Sequence, residues 1–155
     1  MGKIDMQAAP RRDGTAYPSP FDVPCRKRSR QRLGMAAGLT QFGVNRLTLP
    51  PGQWSSQRHW HTREDEFVFV VEGEVVLVTD AGEQVLKAGD CAGFPHGVAD
   101  GHHIQNRSDR DAILLEVGHT DPADAAFYPD IDLEARPDAY YRRDGTPYPA
   151  TKRVR

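Results

Sequence analysis

The middle of the chain, from Gly43 to Gly118, is built from short apolar or alternating runs that are separated by turn residues. The runs cover residues 45–49, 67–71, 74–78, 84–87, 91–94, 102–106 and 112–117. Short runs at regular spacing, with turn signals such as Asp80-Ala81-Gly82 between them, are typical of an all-β sandwich or barrel. No helical period competes with this pattern, and we therefore predict an all-β fold.

The two ends of the chain differ in composition from this middle region. We predict an N-terminal arm over residues 1–37, where proline, glycine and charged residues are frequent, and a barrel over residues 38–119. We interpret the basic run at residues 26–32 as a solvated charged segment. Residues 120–155 are predicted to be an irregular extension packed on the barrel, with aromatic side chains that either anchor it or line a ligand entrance.

Length and charge exclude several classes of protein. A chain of 155 residues has room for one domain, and a formal net charge of −2 gives no general attraction to nucleic acid or to membranes. No apolar run is long enough to span a membrane, and no targeting segment is visible, so we expect a cytoplasmic protein. The two cysteines, Cys25 and Cys91, are interpreted as free thiols.

Two histidines and a glutamate lie close together in the segment His59-Trp60-His61-Thr62-Arg63-Glu64-Asp65-Glu66. Alternate side chains of an extended strand share a face, so His59 and His61 project the same way, and Glu66 follows after a polar turn. Imidazole and carboxylate suit one divalent ion such as zinc, manganese, iron, nickel or cobalt, and the lack of thiolates in this segment argues against a structural zinc site. We favour a ligand cluster over the alternative of two surface histidines.

A second motif lies downstream, and the two motifs together resemble those of the cupin superfamily. The first motif is carried by Gly52, His59, His61, Glu66 and Gly73, and the second by Gly89, Pro95, Gly97, His102 and Asn106. The resemblance implies a double-stranded β-helix, or jelly-roll, barrel and a divalent ion held by three histidines and one glutamate. It also implies a homodimer.

The spacing of the second motif departs from the family pattern. Four residues separate Gly97 from His102, where the family usually has two, so His103 or His96 could replace His102 as the fourth ligand. We favour His102. The order of the arm and the motifs also resembles a group of small single-domain bacterial cupins of undefined activity, some of them loosely labelled as sugar-phosphate isomerase-like, although fold does not fix function.

Strand alternation suggests which other side chains face the pocket. Gln57 is a candidate for contact with a metal ligand or with substrate, although a buried glutamine satisfied by backbone groups is an equal alternative. We expect Cys91 to point into the barrel as a small apolar residue, and Asn106 to bond the turn that follows it. His96 and His103 are predicted to lie in loops or to face outward.

Two classes of function agree with these features. The first is a metalloenzyme that acts on a small polar organic substrate, either as an isomerase or epimerase or as an iron-dependent dioxygenase. The second is a non-catalytic module that uses the metal to bind or sense a small ligand. The inward positions that the two motifs define carry no lysine or arginine, so the predicted pocket is neutral apart from Glu66 and the metal, which weakens the case for a phosphorylated substrate. Arg46 would contribute only if its side chain faces inward.

Overall fold

The computed structural model describes residues 2–152 and confirms the all-β prediction. The strands in chain order are β1 (Arg11–Asp13), β2 (Ser29–Arg32), β3 (Phe42–Leu49), β4 (Trp60–His61), β5 (Glu66–Glu72), β6 (Glu74–Thr79), β7 (Gly82–Lys87), β8 (Cys91–Phe94), β9 (His103–Gln105), β10 (Ala112–His119), β11 (Ala126–Tyr128), β12 (Leu133–Ala135), β13 (Ala139–Tyr141) and β14 (Pro147–Lys152). Helical structure in the described part of the chain is limited to a 3-10 turn, Val23–Cys25, and one α-helical turn, α1 (Leu33–Ala36). No helix in residues 2–152 has the length and apolar character needed to cross a membrane.

Two antiparallel sheets form the barrel. The larger sheet has the order β1-β2-β3-β10-β5-β8, and the smaller sheet has the order β7-β6-β9. Alternate residues from both sheets point inward and form an apolar core, with Leu47, Val70, Leu77 and Leu114 among its buried members. The jelly-roll prediction is confirmed, and every strand predicted between residues 45 and 117 is present with small shifts of its ends.

The connections follow the turn chemistry of the sequence. Strands β6 and β7 form a hairpin in which Thr79 pairs with Gly82, so the predicted turn at Asp80-Ala81-Gly82 is confirmed. Gly73 joins β5 to β6 with a φ of +88°, a backbone conformation that residues with a Cβ rarely adopt. A Cβ at this position would approach the Cα of Ala112 to 3.1 Å, so the chain is also crowded there.

The N-terminal arm is part of the larger sheet. Strand β2 pairs with β3, from Ser29 opposite Thr48 to Arg32 opposite Asn45, and β1 pairs with β2. The interpretation of residues 26–32 as a solvated segment is therefore wrong for its second half. The reason is that β3 would otherwise be an edge strand with unpaired backbone groups, and β2 satisfies them.

The C-terminal segment is also more regular than predicted. Strands β11 to β14 join β4 in a third antiparallel sheet with the order β14-β13-β12-β11-β4, so the description of an irregular extension is wrong for these residues. A second apolar core lies on this sheet, and its buried members are Ala126, Tyr128, Leu133, Ala135 and Tyr140. Tyr17 and Phe21 of the arm pack against it, so aromatic side chains do anchor both ends of the chain. The domain boundaries themselves stay a prediction, and Met1 and residues 153–155 lie outside the described residues.

Candidate metal centre

Backbone pairing between two loop residues brings the first two histidines together. His59 and His102 form an isolated antiparallel bridge, in which each backbone N–H donates to the carbonyl of the other residue at 3.1 and 2.9 Å. Their rings lie 5.0 Å apart, and the ring of His61, two residues after His59, lies 4.8 Å from the His59 ring. The three imidazoles therefore converge on one point.

Glu66, at the start of β5, completes the cluster. Its Oε2 lies 2.9 Å from His102 Nε2, 3.5 Å from His61 Nε2 and 3.6 Å from His59 Nε2. The Nε2 atoms of His59 and His61 are 3.1 Å apart. Ligand atoms about 2.1 Å from a divalent ion lie roughly 3.0 to 3.5 Å from one another. The ligand atoms of His59, His61 and Glu66 all lie within 4.8 Å of one another and could hold an ion, and His102 adjoins them through Glu66.

The far sides of two rings are held by acceptors. His59 Nδ1 donates to the backbone oxygen of Gln57 at 2.9 Å, and His61 Nδ1 donates to Asp124 Oδ2 at 2.7 Å. Asp124 is fully buried, and its other oxygen accepts the backbone N–H of Arg63 at 3.0 Å. Because these acceptors fix the proton on Nδ1, the Nε2 atoms direct lone pairs toward the shared centre, as metal-binding histidines do.

The electrostatics of the cluster favour a cation. Burial lowers the pKa of His59 to about 3, so this imidazole is neutral near pH 7. Burial alone would lower the pKa of His61, but the carboxylates of Glu66 and Asp124 raise it overall. Burial alone would raise the pKa of Glu66, but the charge of His61 and the hydrogen bond from His102 lower it overall. The fully buried carboxylate of Asp124 and the partly buried carboxylate of Glu66 create a negative environment around these imidazoles, which a divalent ion would neutralise.

The cluster opens into a cavity of about 540 Å³. Two aromatic rings flank the histidines: Phe94 stacks on His102 with 3.6 Å between ring centroids, and Tyr128 stacks on His59 with 5.5 Å between centroids. Tyr128 belongs to β11, so the C-terminal sheet supplies part of the cavity wall. Aromatic residues of the C-terminal segment therefore both anchor it and line the cavity, two roles that the sequence alone presents as alternatives.

Four arginines of the N-terminal arm also line this cavity, namely Arg12, Arg28, Arg30 and Arg32. The prediction of a neutral pocket is therefore wrong. The alternation of side chains along the barrel motifs gives no information about these arginines, because they come from β1, β2 and the residue before β2. The sequence does contain a signal for them, because arginines at every second position in 28–32 share one face of a strand.

The structure separates the other candidate histidines from the cluster. His103, predicted in a loop or facing outward, lies in β9 and is buried, with Nδ1 donating to the Ser56 carbonyl at 3.1 Å. His96 lies in a loop as predicted, is largely exposed, and its Nδ1 contacts Asp65 Oδ1 at 2.6 Å. Of the three histidines that the second motif offers, the structure brings His102 into the cluster.

Three further candidates have structural rather than cavity-facing positions. Gln57 donates from Nε2 to the Phe21 carbonyl at 2.6 Å, which is the backbone-satisfied alternative. Asn106 is buried and bonds its turn as predicted, accepting the Ser108 N–H at 2.9 Å. The inward prediction for Cys91 is wrong, because this residue pairs with Phe69 on the outer face of β5 and is exposed. Arg46 also points elsewhere, and its Nη1 donates to Thr48 Oγ1 at 3.2 Å.

Fold and cluster together define a small jelly-roll barrel with three histidines and one glutamate at the mouth of an internal cavity. The Cupin domain family model matches residues 45–118, the part of the chain that contains all four of these residues. The chain belongs to the cupin superfamily, and the predicted resemblance is confirmed.

Solved structures support the same assignment. A sugar phosphate isomerase of the cupin superfamily from Silicibacter pomeroyi is 43% identical, with 97% of this chain and 99% of that chain covered and a TM-score of 0.89. A putative sugar phosphate isomerase from Acidithiobacillus ferrooxidans is 30% identical over 70% of this chain and 69% of that chain, with a TM-score of 0.67. A predicted oxalate decarboxylase from Thermotoga maritima, 21% identical over 76% of this chain and 98% of that chain, shares the fold with a TM-score of 0.61. Comparison with curated proteins finds no match.

Proposed function

We propose that this protein is a metal-dependent isomerase that acts on a small phosphorylated sugar. The observation that carries the proposal is the joint opening of the histidine cluster and the arginine face into one cavity. Such a cavity offers a cation site for the oxygen atoms of a hydroxycarbonyl group and positive charge for an anionic group of the same molecule. The names of the two similar isomerase structures agree with this substrate class.

His59, His61, Glu66 and His102 are the residues that we propose to hold one divalent ion, such as zinc, manganese, iron or nickel. A bound divalent ion would polarise a carbonyl or hydroxyl oxygen as a Lewis acid. The protein's own contribution is to keep the His59 imidazole neutral through its burial, and to fix the orientation of His59 and His61 through the Gln57 carbonyl and Asp124.

The cavity walls contribute shape and exclusion of water. Phe94 and Tyr128 cover the faces of His102 and His59, and all four proposed ligands line the cavity. Ser55, Ser56 and Glu64 also line the cavity and provide polar groups for the hydroxyls of a sugar. A metal site with polar walls and restricted access suits binding of a small polyhydroxylated molecule.

The proposal is tested by measuring metal content and isomerisation together. The wild-type protein, purified without added metal and without a tag, is analysed for metals beside His59→Ala, His102→Ala and the control His96→Ala, whose side chain is exposed and outside the cluster. We expect about one equivalent of metal in the wild type and in the control, and little in the other two variants. Metal-loaded proteins are then incubated with a panel of triose, tetrose, pentose and hexose phosphates, and NMR follows product formation.

Each outcome selects one function. Isomerisation that requires His59 and His102 but not His96 supports the proposal. Oxygen consumption by an iron-loaded protein, without isomerisation, would contradict it in favour of a dioxygenase. Binding of sugar phosphates without turnover would contradict it in favour of a binding or sensing module. No metal in the wild type, even after reconstitution, would contradict every metal-dependent function.

A further inference from the structure

The guanidinium of Arg28 has an unusual environment in the cavity wall. Its side chain is 6% exposed, and Nε donates to the backbone oxygen of Gly14 at 3.1 Å. Among the described residues, its buried Nη1 has no hydrogen-bond partner. Buried charged groups are nearly always paired, so an unpaired guanidinium nitrogen in a residue that lines the cavity indicates a missing partner.

The surroundings of Arg28 do not supply that partner. Arg30, two residues along, repels it, and burial together with this repulsion lowers the pKa of Arg28. Tyr17 lies beneath the guanidinium at 5.7 Å from its ring centroid, and a tyrosine ring is neutral near pH 7. Glu116 is already committed, because Nε and Nη2 of Arg30 donate to its two oxygens at 2.6 and 2.8 Å. An anion from outside the chain would balance the charge of Arg28.

A chain of ring contacts relates Arg28 to the histidine cluster. The Tyr17 ring lies 5.6 Å from the Tyr128 ring, and Tyr128 in turn stacks on His59 at 5.5 Å. Two aromatic rings thus separate the unpaired guanidinium from the cluster, and both ends line the same cavity. A ligand can therefore contact the cluster with one end and Arg28 with the other.

We propose that the guanidinium of Arg28 binds the phosphoryl group of the substrate, with Arg12 and Arg32 adding positive charge to the same wall. This inference rests on the proposed function, and it names the residue that selects a phosphorylated sugar. A guanidinium presents a planar fork of donors that matches phosphate oxygens, which an ammonium group does not. The tyrosines between the two sites fix the distance between the phosphoryl group and the oxygen atoms directed at the cluster.

The test measures binding of inorganic phosphate to the full chain by calorimetry, at constant ionic strength, before and after treatment with a chelator. The variants are Arg28→Gln, Arg28→Lys and the matched control Arg26→Gln, which changes an exposed arginine of the same arm that pairs with Asp22. We expect Arg28→Gln to weaken phosphate binding about 10- to 100-fold and Arg26→Gln to leave it unchanged. Arg28→Lys keeps the charge but loses the fork, and we expect intermediate binding.

Thermal unfolding separates binding from a structural role. An unpaired buried charge destabilises the fold, so Arg28→Gln should unfold at the wild-type temperature or above it, and phosphate should raise the unfolding temperature of the wild type more than that of Arg28→Gln. A large fall in the unfolding temperature of Arg28→Gln that Arg28→Lys reverses would assign Arg28 a structural role and overturn the proposal. If Arg28→Gln does not fold, phosphate binding by Arg28→Lys is the test. Weaker binding than in the wild type supports the proposal, and unchanged binding overturns it.

The remaining outcomes distinguish this proposal from the proposed function. Phosphate binding that survives chelation and is weakened by Arg28→Gln supports the subsite, even if no isomerase activity is found. Phosphate binding that is lost on chelation or in His59→Ala, but kept in Arg28→Gln, would place phosphate at the metal and overturn the subsite alone. No phosphate binding by the wild type, or equal binding of acetate, would also overturn it.

Discussion

At the scale of single residues, Asp124 completes a site that lies mostly in another part of the chain. The three histidines and Glu66 come from the two barrel motifs, but the carboxylate that orients His61 comes from the segment before β11, 63 residues from its partner. Asp124 is fully buried, and it accepts hydrogen bonds from the Thr62 hydroxyl and the Arg63 backbone while it holds the His61 ring. No spacing rule in the sequence connects these two residues.

Asp124→Asn tests this orienting contact. The amide removes the negative charge behind His61 and changes its hydrogen bond, so we expect metal affinity to fall about 10- to 100-fold while the fold persists. Metal competition with a chelator of known affinity measures the change. The control is Asp109→Asn, an aspartate whose side chain is 95% exposed, and it should bind metal as the wild type does. Unchanged affinity in Asp124→Asn would show that His61 is oriented by other groups.

The two thiols provide a second prediction at this scale. Cys25 is fully buried, and burial raises the pKa of its thiol, whereas Cys91 is exposed on β8. We expect one thiol of the native protein to react rapidly with a chromogenic disulfide and two to react after denaturation. Cys91→Ser should abolish the rapid reaction and leave metal content unchanged. Loss of metal in Cys91→Ser would contradict the outward position of this residue.

At the scale of elements, β2 changes the charge of the cavity wall. The barrel strands supply the apolar core, the two motifs supply the histidine cluster, and the arm adds a row of arginines through the pairing of β2 with β3. Of these, Arg30 is neutralised by Glu116, and Arg28 is not. An arm that lies outside both motifs therefore determines the charge that a ligand meets.

The connection between β5 and β6 gives a prediction about stability. Gly73→Ala places a Cβ at positive φ and against the Cα of Ala112, so we expect the free energy of unfolding to fall by about 1–3 kcal/mol. Gly52→Ala is the matched control, because Gly52 also has a positive φ of +73° but has nothing within 4 Å of the added Cβ. Its loss should be smaller, about 1 kcal/mol. Equal losses in urea denaturation would show that crowding at Ala112 contributes nothing.

At the scale of the whole molecule, two apolar cores are joined around one cavity. The barrel core lies between the larger and smaller sheets, and the second core joins the arm to the C-terminal sheet through Tyr17 and Tyr128. The cavity takes its histidines from the barrel and its tyrosines and arginines from the two ends of the chain. Truncation of either end would therefore remove part of the ligand space as well as stability.

Homodimerisation stays a prediction, and we propose the outer face of β5 as its contact surface. Tyr17 and Phe21 of the arm pack on the second core of their own chain. The outer face of β5 exposes Phe67, Phe69 and Val71, an apolar strip next to the edge strand β8. We expect a sedimentation mass of twice the chain mass, reduced to one chain by Phe69→Glu but not by the control Val85→Glu on exposed β7. A monomeric wild type would contradict the prediction.

The sequence predicted the barrel and most of the cluster because the signals for them are local. The alternation of apolar residues fixes which face of each barrel strand is buried, and His59, His61 and Glu66 lie within eight residues of one another. Turn residues such as Gly82 mark where strands end, so the sequence predicts the positions of the strands between residues 45 and 117.

Tertiary structure alone decided which distant groups complete the cavity. The backbone bridge to His59 places His102, rather than His96 or His103, in the cluster. Asp124 forms a hydrogen bond with His61 from a distant part of the chain, and Arg28, next to β2, lines the same cavity as the cluster. Each of these contacts depends on how sheets pair and pack, and pairing is set by the burial and hydrogen bonding of the whole chain rather than by spacing within a motif. The local pattern thus determined a barrel with a cluster of candidate metal ligands, and only the packing of its two ends determined the charge and shape of the cavity beside that cluster.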